Sequence, residues 1–378
     1  MKFTVLKVGI GDSFLLEANS KKILVDTGNE QYECEKLISK KGIKELDLII
    51  ITHYDSDHVN GLVEIIKSDI SIKEIWLPET FGRINETLKE EKDNLLKQII
   101  NSDFEQANTV VRLLVYDFFL QNHKHIFIKI LSDKSTESGK IIAETHYLNE
   151  VYEKIIENSK DQTIGIIQQI PSVLITYINK SHVNKIKDIV EECKKKGIKI
   201  KWLKYTDELE NEEINKKINI IGVNCKEKEN IKAYYDDLET IFYLTRINRE
   251  SLVFKYQEKD SLPNILFSAD SGFEFLGENE KINLTNNSIV TASHHGSKER
   301  LNVGTYNLVS GKDLIYVRSD NKNNKRPCCE YIKLEKKYCT ICNTMNEKEE
   351  IILEYLNNEW KANKEKCKCN GNKYNPSC

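Results

Sequence analysis

The sequence lacks the features that mark several large classes of protein. It contains no run of about 18 apolar residues, so we expect no transmembrane helix. Its first residues, MKFTVLKVGIGDSF, alternate between apolar and polar positions and do not resemble a signal peptide. The net charge of −3 shows no basic excess of the kind that a nucleic-acid coat protein carries. We therefore expect a cytoplasmic protein with no membrane contact.

Two catalytic signatures are also missing. No phosphate-binding loop of the form GxxxxGK[ST] occurs, and no Ser-His-Asp or Cys-His nucleophile arrangement stands out. No internal repeat of short period is present, so we expect no repeat architecture. What the chain does contain is 39% apolar residues, which suffices for a sizeable core and excludes global disorder.

Strands that alternate with helices along the chain predict an α/β architecture. The 378 residues suit one large domain with an appendage. We assign the large domain to residues 1–319, with a helical insertion at about 80–160, where leucine and isoleucine recur at helical spacing. A polar run then leads into a cysteine-rich tail over residues 320–378, which we expect to be a small separate module.

The segment that carries chemistry is THYDSDH, which follows a buried strand and opens a helix. His53 and Asp55 are two residues apart, so in an extended chain their side chains point the same way. Asp57 and His58 follow at the turn into the helix. Two pairs of ligands can therefore face two adjacent cations. The alternative is a polar strand-to-helix loop in which Asp57 caps the helix.

Two later segments carry the same kinds of side chain at strand ends. Asp270 comes directly after one apolar strand, and His294 and His295 come directly after another. Ligands of α/β sheets bind at the carboxyl ends of the strands. Three clusters of His and Asp at such positions in one chain indicate a metal site.

These motifs, HxDxDH, a later Asp and SHHGS, resemble those of the metallo-β-lactamase superfamily. They are most similar to the branch that contains the hydrolase domain of ComEC-like DNA-uptake proteins. Three further segments support the same branch, namely VGIGDS at 8–13, LVDTG at 24–28 and NRESLV at 248–253. The resemblance covers residues 1 to about 319, interrupted by the insertion.

The resemblance implies an αβ/βα four-layer sandwich with two divalent metal ions at one edge. It implies that Asp270 bridges both ions and that His294 or His295 is a further ligand. Asp55 stands where many relatives have His, which shifts the preference towards Mn²⁺ while Zn²⁺ remains suitable. Ala269 replaces a usual Gly, and a His often found between the motifs has no clear counterpart. The implied metal ligands are His53, Asp55, Asp57, His58, Asp270, His294 and His295.

The expected function is hydrolysis of a phosphodiester in a nucleic acid or nucleotide by a metal-activated hydroxide, with Asp57 and Asp270 as catalytic residues. Three Asp ligands cancel most of the charge of two divalent cations, and the remaining positive field favours an anionic substrate. Candidate substrate contacts are Lys298, Arg318, Asn248 and Ser251. Two alternatives remain open: a hydrolase of a small ester, lactone or amide, and a degenerate metal-binding sensor or interaction protein. The sequence also leaves a protein partner open.

Seven of the ten cysteines lie between Cys328 and Cys378. Cys339 and Cys342 precede a predicted β-hairpin with an Asn-Asn turn, and Cys367 and Cys369 follow it. Two cysteine pairs that flank a hairpin resemble a zinc ribbon, although the second pair is CxC instead of the usual CxxC. The alternative is a set of free thiols.

Overall fold

The computed structural model describes residues 1–90, 180–231, 251–259, 261–297, 304–319, 326–342, 349–367 and 369. Most of the predicted helical insertion, Asn248 and Lys298 lie outside this part of the chain. The strands and the site described below belong to one compact unit, Met1–Arg83, Lys185–Lys232 and Arg246–Cys378. A second unit comprises Ile84–Asn184 and Ala233–Thr245.

The first sheet is mixed and has nine strands. In spatial order they are β11 (Cys225–Glu227), β8 (Lys199–Tyr205), β7 (Glu74–Pro78), β5 (Leu48–Ile50), β3 (Lys21–Val25), β2 (Phe14–Ala18), β1 (Lys2–Val5), β19 (Ile351–Leu356) and β20 (Glu359–Ala362). The central run β3–β5–β7–β8 is parallel, and the strands outside it pair antiparallel. The carboxyl ends of β3 and β5 therefore meet at one edge.

The second sheet has seven strands. In spatial order they are β18 (Lys337–Cys339), β17 (Ile315–Arg318), β15 (Ile289–Thr291), β13 (Ile265–Phe267), β12 (Phe254–Tyr256), β10 (Ile220–Gly222) and β9 (Glu212–Asn215). Strands β13, β15, β17 and β18 are parallel, so the ends of β13 and β15 also lie together. Two short parallel pairs join β4 (Glu45–Leu46) to β6 (Ser71–Ile72) and β14 (Ile282–Asn283) to β16 (Val309–Ser310).

The main core lies between the two sheets. The rings of Phe3 and Phe14 in the first sheet lie 6.1 and 6.2 Å from the ring of Phe267 in the second. Trp76 and Phe254 make a second contact of this kind at 6.2 Å. Each of these side chains is at most 2% exposed, and burial of one such ring stabilises the fold by about 1.5–3 kcal/mol.

Helices complete the sandwich on the outer faces. They are α1 (Glu33–Lys40), α2 (Ser56–Val59), α3 (Leu62–Lys67), α4 (Glu79–Glu90), α5 (Lys180–Lys195) and α6 (Cys329–Lys333), with 3₁₀ turns at Ser293–Gly296 and Thr305–Leu308. Leu15 and Leu24 are fully buried outside the inter-sheet cluster, so helices cover that face of the first sheet. Tyr306 and Tyr331 pack on the outer face of the second sheet. No helix in the described ranges is long and apolar enough to cross a membrane.

The cysteine-rich segment differs from the separate module that its composition predicts. β18 extends the second sheet, with Tyr338 opposite Val317, and β19 extends the first sheet, with Leu353 opposite Phe3. Tyr338 and Leu353 join the inter-sheet core. Edge strands with unpaired backbone groups and an apolar face recruit such segments, which composition alone does not indicate. The predicted hairpin itself is confirmed as β19 and β20.

Candidate metal centre

The candidate site is built from loops that follow neighbouring strands. Asp26 follows β3, His53 follows β5, Asp270 follows β13, and His294 follows β15. In each sheet the two strands concerned are parallel neighbours, so their ends meet at one edge. The structure thereby brings the first cluster together with two others that lie more than 200 residues further along the sequence.

Asp270 lies at the centre of the cluster and is only 3% exposed. Its Oδ1 lies 3.2 Å from Nε2 of His58 and 3.7 Å from Nε2 of His295. Its Oδ2 lies 3.4 Å from Nε2 of His294 and 3.8 Å from Nε2 of His53. Each carboxylate oxygen therefore faces a different pair of imidazoles, as a bridging ligand between two cations would.

Two ligand groups share this carboxylate. The first contains His53, Asp55 and Asp270, with His53 Nε2 lying 3.7 Å from Asp55 Oδ2. The second contains Asp12, His58, Asp270 and His295. In each group the ligand atoms lie within 4.8 Å of one another, which is close enough to surround one ion. His294 borders the first group through Asp270 Oδ2, so both members of the His pair face the centre.

The opposite ring nitrogens of the histidines are held by oxygen atoms. His58 Nδ1 lies 2.8 Å from Asp26 Oδ2, and His295 Nδ1 lies 3.0 Å from Asp12 Oδ1. Because a carboxylate only accepts hydrogen bonds, these contacts put the proton of a neutral imidazole on Nδ1. Each Nε2 then presents its lone pair to the centre, as in carboxylate–histidine–metal arrangements.

His53 is oriented through a relay. Thr52 Oγ1 donates its proton to Asp26 Oδ2 at 2.8 Å, so it accepts from His53 Nδ1 at 3.0 Å. Asp26 therefore fixes both His53 and His58, and the Thr52 backbone N–H donates to its second oxygen at 2.9 Å. Asp12 and Asp26 lie within the segments VGIGDS and LVDTG, which contributed only to the family resemblance. Asp12 directly follows Gly11, and Asp26 directly follows β3.

A glycine loop fixes Asp57. The backbone N–H of Asp12 donates to the carbonyl oxygen of Asp57 at 3.1 Å. Gly11 has φ of 101°, and a Cβ at this position would lie 1.7 Å from that oxygen. Asp57 Oδ2 in turn lies 3.1 Å from His295 Nε2. Asp55, not Asp57, occupies the N-cap of α2, and its side chain makes no capping hydrogen bond.

The backbone at the site is held in left-handed conformations. The φ angles are 58° at Asp26, 48° at Ala269, 46° at His294 and 54° at His295. Such conformations cost a non-glycine residue about 1–2 kcal/mol each, and they persist where the surrounding structure enforces them.

Opposite charges reinforce one another in the cluster. Burial opposes ionisation of Asp57 and Asp270, but contacts with His295 and His58 outweigh it and hold the pKa of both carboxyls well below the usual value. Burial also lowers the pKa of His295, but Asp12 and Asp270 outweigh this and raise it to about 10. Burial raises the pKa of Asp12. Without metal, protonated imidazoles balance the charge of the carboxylates. Bound metal cations would supply this positive charge instead.

Buried atoms without hydrogen bonds test whether the residues fit a cation. His53 Nε2, His58 Nε2 and Asp270 Oδ1 are all inaccessible to solvent and have no hydrogen-bond partner. Leaving such an atom unsatisfied costs about 1–3 kcal/mol. All three point into the centre, and nitrogen and carboxylate ligands of this kind suit Zn²⁺ or Mn²⁺. The donor set therefore fits a divalent metal.

The two described candidates for substrate contact are buried. Ser251 is 0% exposed, and its carbonyl accepts a hydrogen bond from Asn224. Arg318 is 1% exposed, and its guanidinium lies 5.9 Å from the ring centre of Tyr331. Neither side chain is placed to contact a substrate.

The model of the Metallo-beta-lactamase superfamily matches residues 6–121 of the chain. Together with the two facing sheets, this match shows a metallo-β-lactamase fold and a domain of that superfamily. The match includes the first motif and ends before Asp270. It does not distinguish the ComEC-like branch, which stays a prediction.

Among curated proteins, the chain is similar to exodeoxyribonuclease WalJ of two strains of Streptococcus pneumoniae. The identity is 41% over 64 residues, which is 16% of this chain. The match spans only 24% of the length of these relatives. The crystal structure of a new diphosphatase from the PhnP family is 18% identical and covers 24% of this chain and 47% of that one. Its TM-score of 0.19 is too low to carry any argument.

Proposed function

We propose that this chain is a metal-dependent hydrolase that cleaves phosphodiester bonds in a nucleic acid or nucleotide. The observation that carries the proposal is the position of Asp270, whose two oxygens face separate groups of imidazole and carboxylate ligands. An arrangement of this kind serves hydrolysis by two metals in phosphatases and nucleases.

His53, Asp55 and His294 would hold one ion with Asp270, and His58, His295 and Asp57 would hold the other. Asp12 belongs to the second group by distance, but it contacts Nδ1 of His295 and would therefore orient that ring instead of binding the ion. Two divalent cations held here would lower the pKa of a coordinated water and polarise a phosphoryl oxygen. The protein itself contributes fixed geometry, because Asp12 and Asp26 prevent His295 and His58 from rotating. Asp57, which is partly accessible, is placed to orient the attacking water.

Charge supports an anionic substrate. The carboxylates of Asp55, Asp57 and Asp270 carry three negative charges, which leaves one positive charge beside two divalent cations. Asp12 and Asp26 lie behind the histidines, so they weaken this field without facing the substrate. The similarity to an exodeoxyribonuclease favours a phosphodiester over a carboxylic ester or lactone as the bond that is cleaved.

The test combines metal analysis with two assays on the full chain. We expect about two metal ions bound at the site and turnover of bis-p-nitrophenyl phosphate with Mn²⁺ or Zn²⁺. Asp270→Ala and Asp57→Ala should both abolish turnover, whereas Asp69→Asn, which alters an exposed carboxylate, should not. Turnover of p-nitrophenyl acetate or a lactone without any phosphodiester cleavage would replace the phosphodiesterase by a small-ester hydrolase. Metal binding without turnover of any substrate would favour a sensor.

A further inference from the structure

The four cysteines Cys339, Cys342, Cys367 and Cys369 form a second cluster of metal-binding side chains, outside the site described above. Their Sγ atoms all lie within 4.8 Å of one another. Cys369 Sγ lies 3.1 Å from Cys342 Sγ and 3.4 Å from Cys339 Sγ. A disulfide requires about 2.0 Å between the sulfurs, so these are four free thiols at one point.

We propose that these four thiolates bind one zinc ion, which ties together the edges of the two sheets. Zinc bonded to four sulfurs at ~2.3 Å in a tetrahedron separates those sulfurs by about 3.8 Å. Two of the observed separations, 3.1 and 3.4 Å, are somewhat shorter than this value and none exceeds 4.8 Å, so small movements suffice to admit the ion. Four thiolates from two closely spaced pairs are a typical ligand set for structural zinc.

The position of the cluster gives the ion its role. Cys339 ends β18, which is the edge strand of the second sheet. Cys367 and Cys369 follow β20, which is the edge strand of the first sheet. The only direct backbone link described between these segments is the hydrogen bond from Cys367 N to Lys337 O at 2.7 Å. A zinc ion would therefore link the edge strand of the second sheet to the segment that follows the edge strand of the first sheet.

The surroundings suit a centre of negative charge. Four thiolates and one Zn²⁺ carry a net charge of −2. The buried Arg318 stands opposite Cys339 in the strand register, and Lys364 donates to the Cys339 carbonyl at 3.1 Å. A thiolate is the form that binds zinc.

The proposed zinc site is also connected to the His and Asp site through β17. Arg318 ends β17, and the next residue, Ser319, donates its hydroxyl to the Gly11 carbonyl at 2.6 Å. Gly11 packs against the backbone of Asp57. Fixing β18 beside β17 therefore supports the loop that positions Asp57. This is a structural role, separate from the chemistry proposed above, and it does not depend on the substrate.

The first test uses the full chain with His58→Ala and Asp270→Ala, which disables the His and Asp site. After purification in reducing buffer, elemental analysis should find about one zinc per chain. Adding Cys342→Ser should remove it, whereas Cys193→Ser, at a buried thiol outside the cluster, should retain it. Cys369→His should also retain zinc, because three Cys and one His make an accepted ligand set. No zinc in the parent, or retention in Cys342→Ser, would overturn the proposal.

A second test needs no substitution in the cluster and so does not depend on the folding of a variant. Replacing the zinc by Co²⁺ should give intense thiolate-to-cobalt charge-transfer absorption in the near ultraviolet, with the visible bands of tetrahedral Co²⁺. The four thiols should also resist alkylation until a chelator is added. Absence of the charge-transfer bands, or mass loss corresponding to disulfides in freshly reduced protein, would rule the zinc site out.

Discussion

Asp26 Oδ2 accepts hydrogen bonds from both His58 Nδ1 and Thr52 Oγ1, each at 2.8 Å. One buried carboxylate thus sets the orientation of two imidazoles, because Thr52 passes the constraint on to His53. The geometry of both ligand groups therefore depends on a residue that lies behind the histidines, on the side away from the candidate metal centre.

Asp26→Asn should weaken metal binding by about 10- to 100-fold, the usual effect of removing a residue that orients metal ligands. The amide leaves the ligands themselves in place, but it has one oxygen where the carboxylate has two and cannot accept all the hydrogen bonds that Asp26 accepts. Competition with a chromogenic chelator measures the affinity. Asp69→Asn is the control, since its carboxylate is exposed. Unchanged affinity in Asp26→Asn would show that the hydrogen bonds from Asp26 do not orient the ligands.

Gly11→Ala should destabilise the protein and lower its activity much more than Gly42→Ala. Both glycines have positive φ, 101° and 72°, so both substitutions carry backbone strain. Only the Cβ at Gly11 meets another atom, Asp57 O at 1.7 Å, whereas nothing lies within 4 Å at Gly42. Thermal unfolding and steady-state kinetics compare the two. Equal effects would mean that strain alone, and not the contact with Asp57, makes Gly11 necessary.

His294→Asn and His295→Asn should each reduce the metal content, but they should differ in stability. Asn tolerates the left-handed backbone that both positions require. His295 lies between Asp12 and Asp57, so its removal leaves carboxylates together without a counter-charge. His294 Nε2 lies 3.4 Å from Asp270 Oδ2, and Asp270 would still have His58 and His295 beside it. In chelator-treated protein we expect a lower melting temperature for His295→Asn. A lower value for His294→Asn would contradict this assignment.

Metal ions should raise the melting temperature of the chelator-treated protein. A ligand that binds only the folded state at 100 times its dissociation constant adds about 2.7 kcal/mol to the free energy of unfolding. Titration with Mn²⁺ followed by differential scanning fluorimetry measures the shift. A variant with Asp270→Ala should show a much smaller one. A full shift in that variant would place the stabilising Mn²⁺ elsewhere.

Asp47→Asn should destabilise the protein at pH 7, with a smaller effect towards pH 3. Burial raises the pKa of Asp47, but hydrogen bonds from Lys73, the Lys22 backbone and Lys21 outweigh it, so the pKa is lowered on folding. The carboxylate then contributes stability above its unfolded pKa, near 3.9, and this contribution is lost as the pH falls through the folded value. Urea unfolding at several pH values tests this. A difference that does not change with pH would exclude the charge as its source.

The sequence predicted the strand-end ligands because the clusters combine unmistakable residue types with buried strands. His53, Asp55, Asp270 and both members of the His pair converge in the structure as those positions suggest. Their individual roles as ligands stay a proposal.

The roles of Asp12 and Asp26 could not be predicted, because each acts through hydrogen bonds to side chains far along the chain. Sequence spacing describes neighbours on one element and not partners across a sheet. The same limit explains the tail. The turn at Asn357 and Asn358, with φ of 53° and 65°, is local and was foreseen. The pairing of β19 with β1 joins opposite ends of the sequence and was not.

That pairing has a consequence for synthesis of the protein. Val5 leaves the ribosome early, yet its partner Ile351 follows almost 350 residues later. Until then the apolar edge at β1 is open, and association with other chains competes with folding. A premature stop before β18 would leave the edges of both sheets uncovered at once. Such a fragment would keep every candidate metal ligand of the His and Asp site. It should nevertheless aggregate, because β18 and β19 would no longer cover the edges of the two sheets.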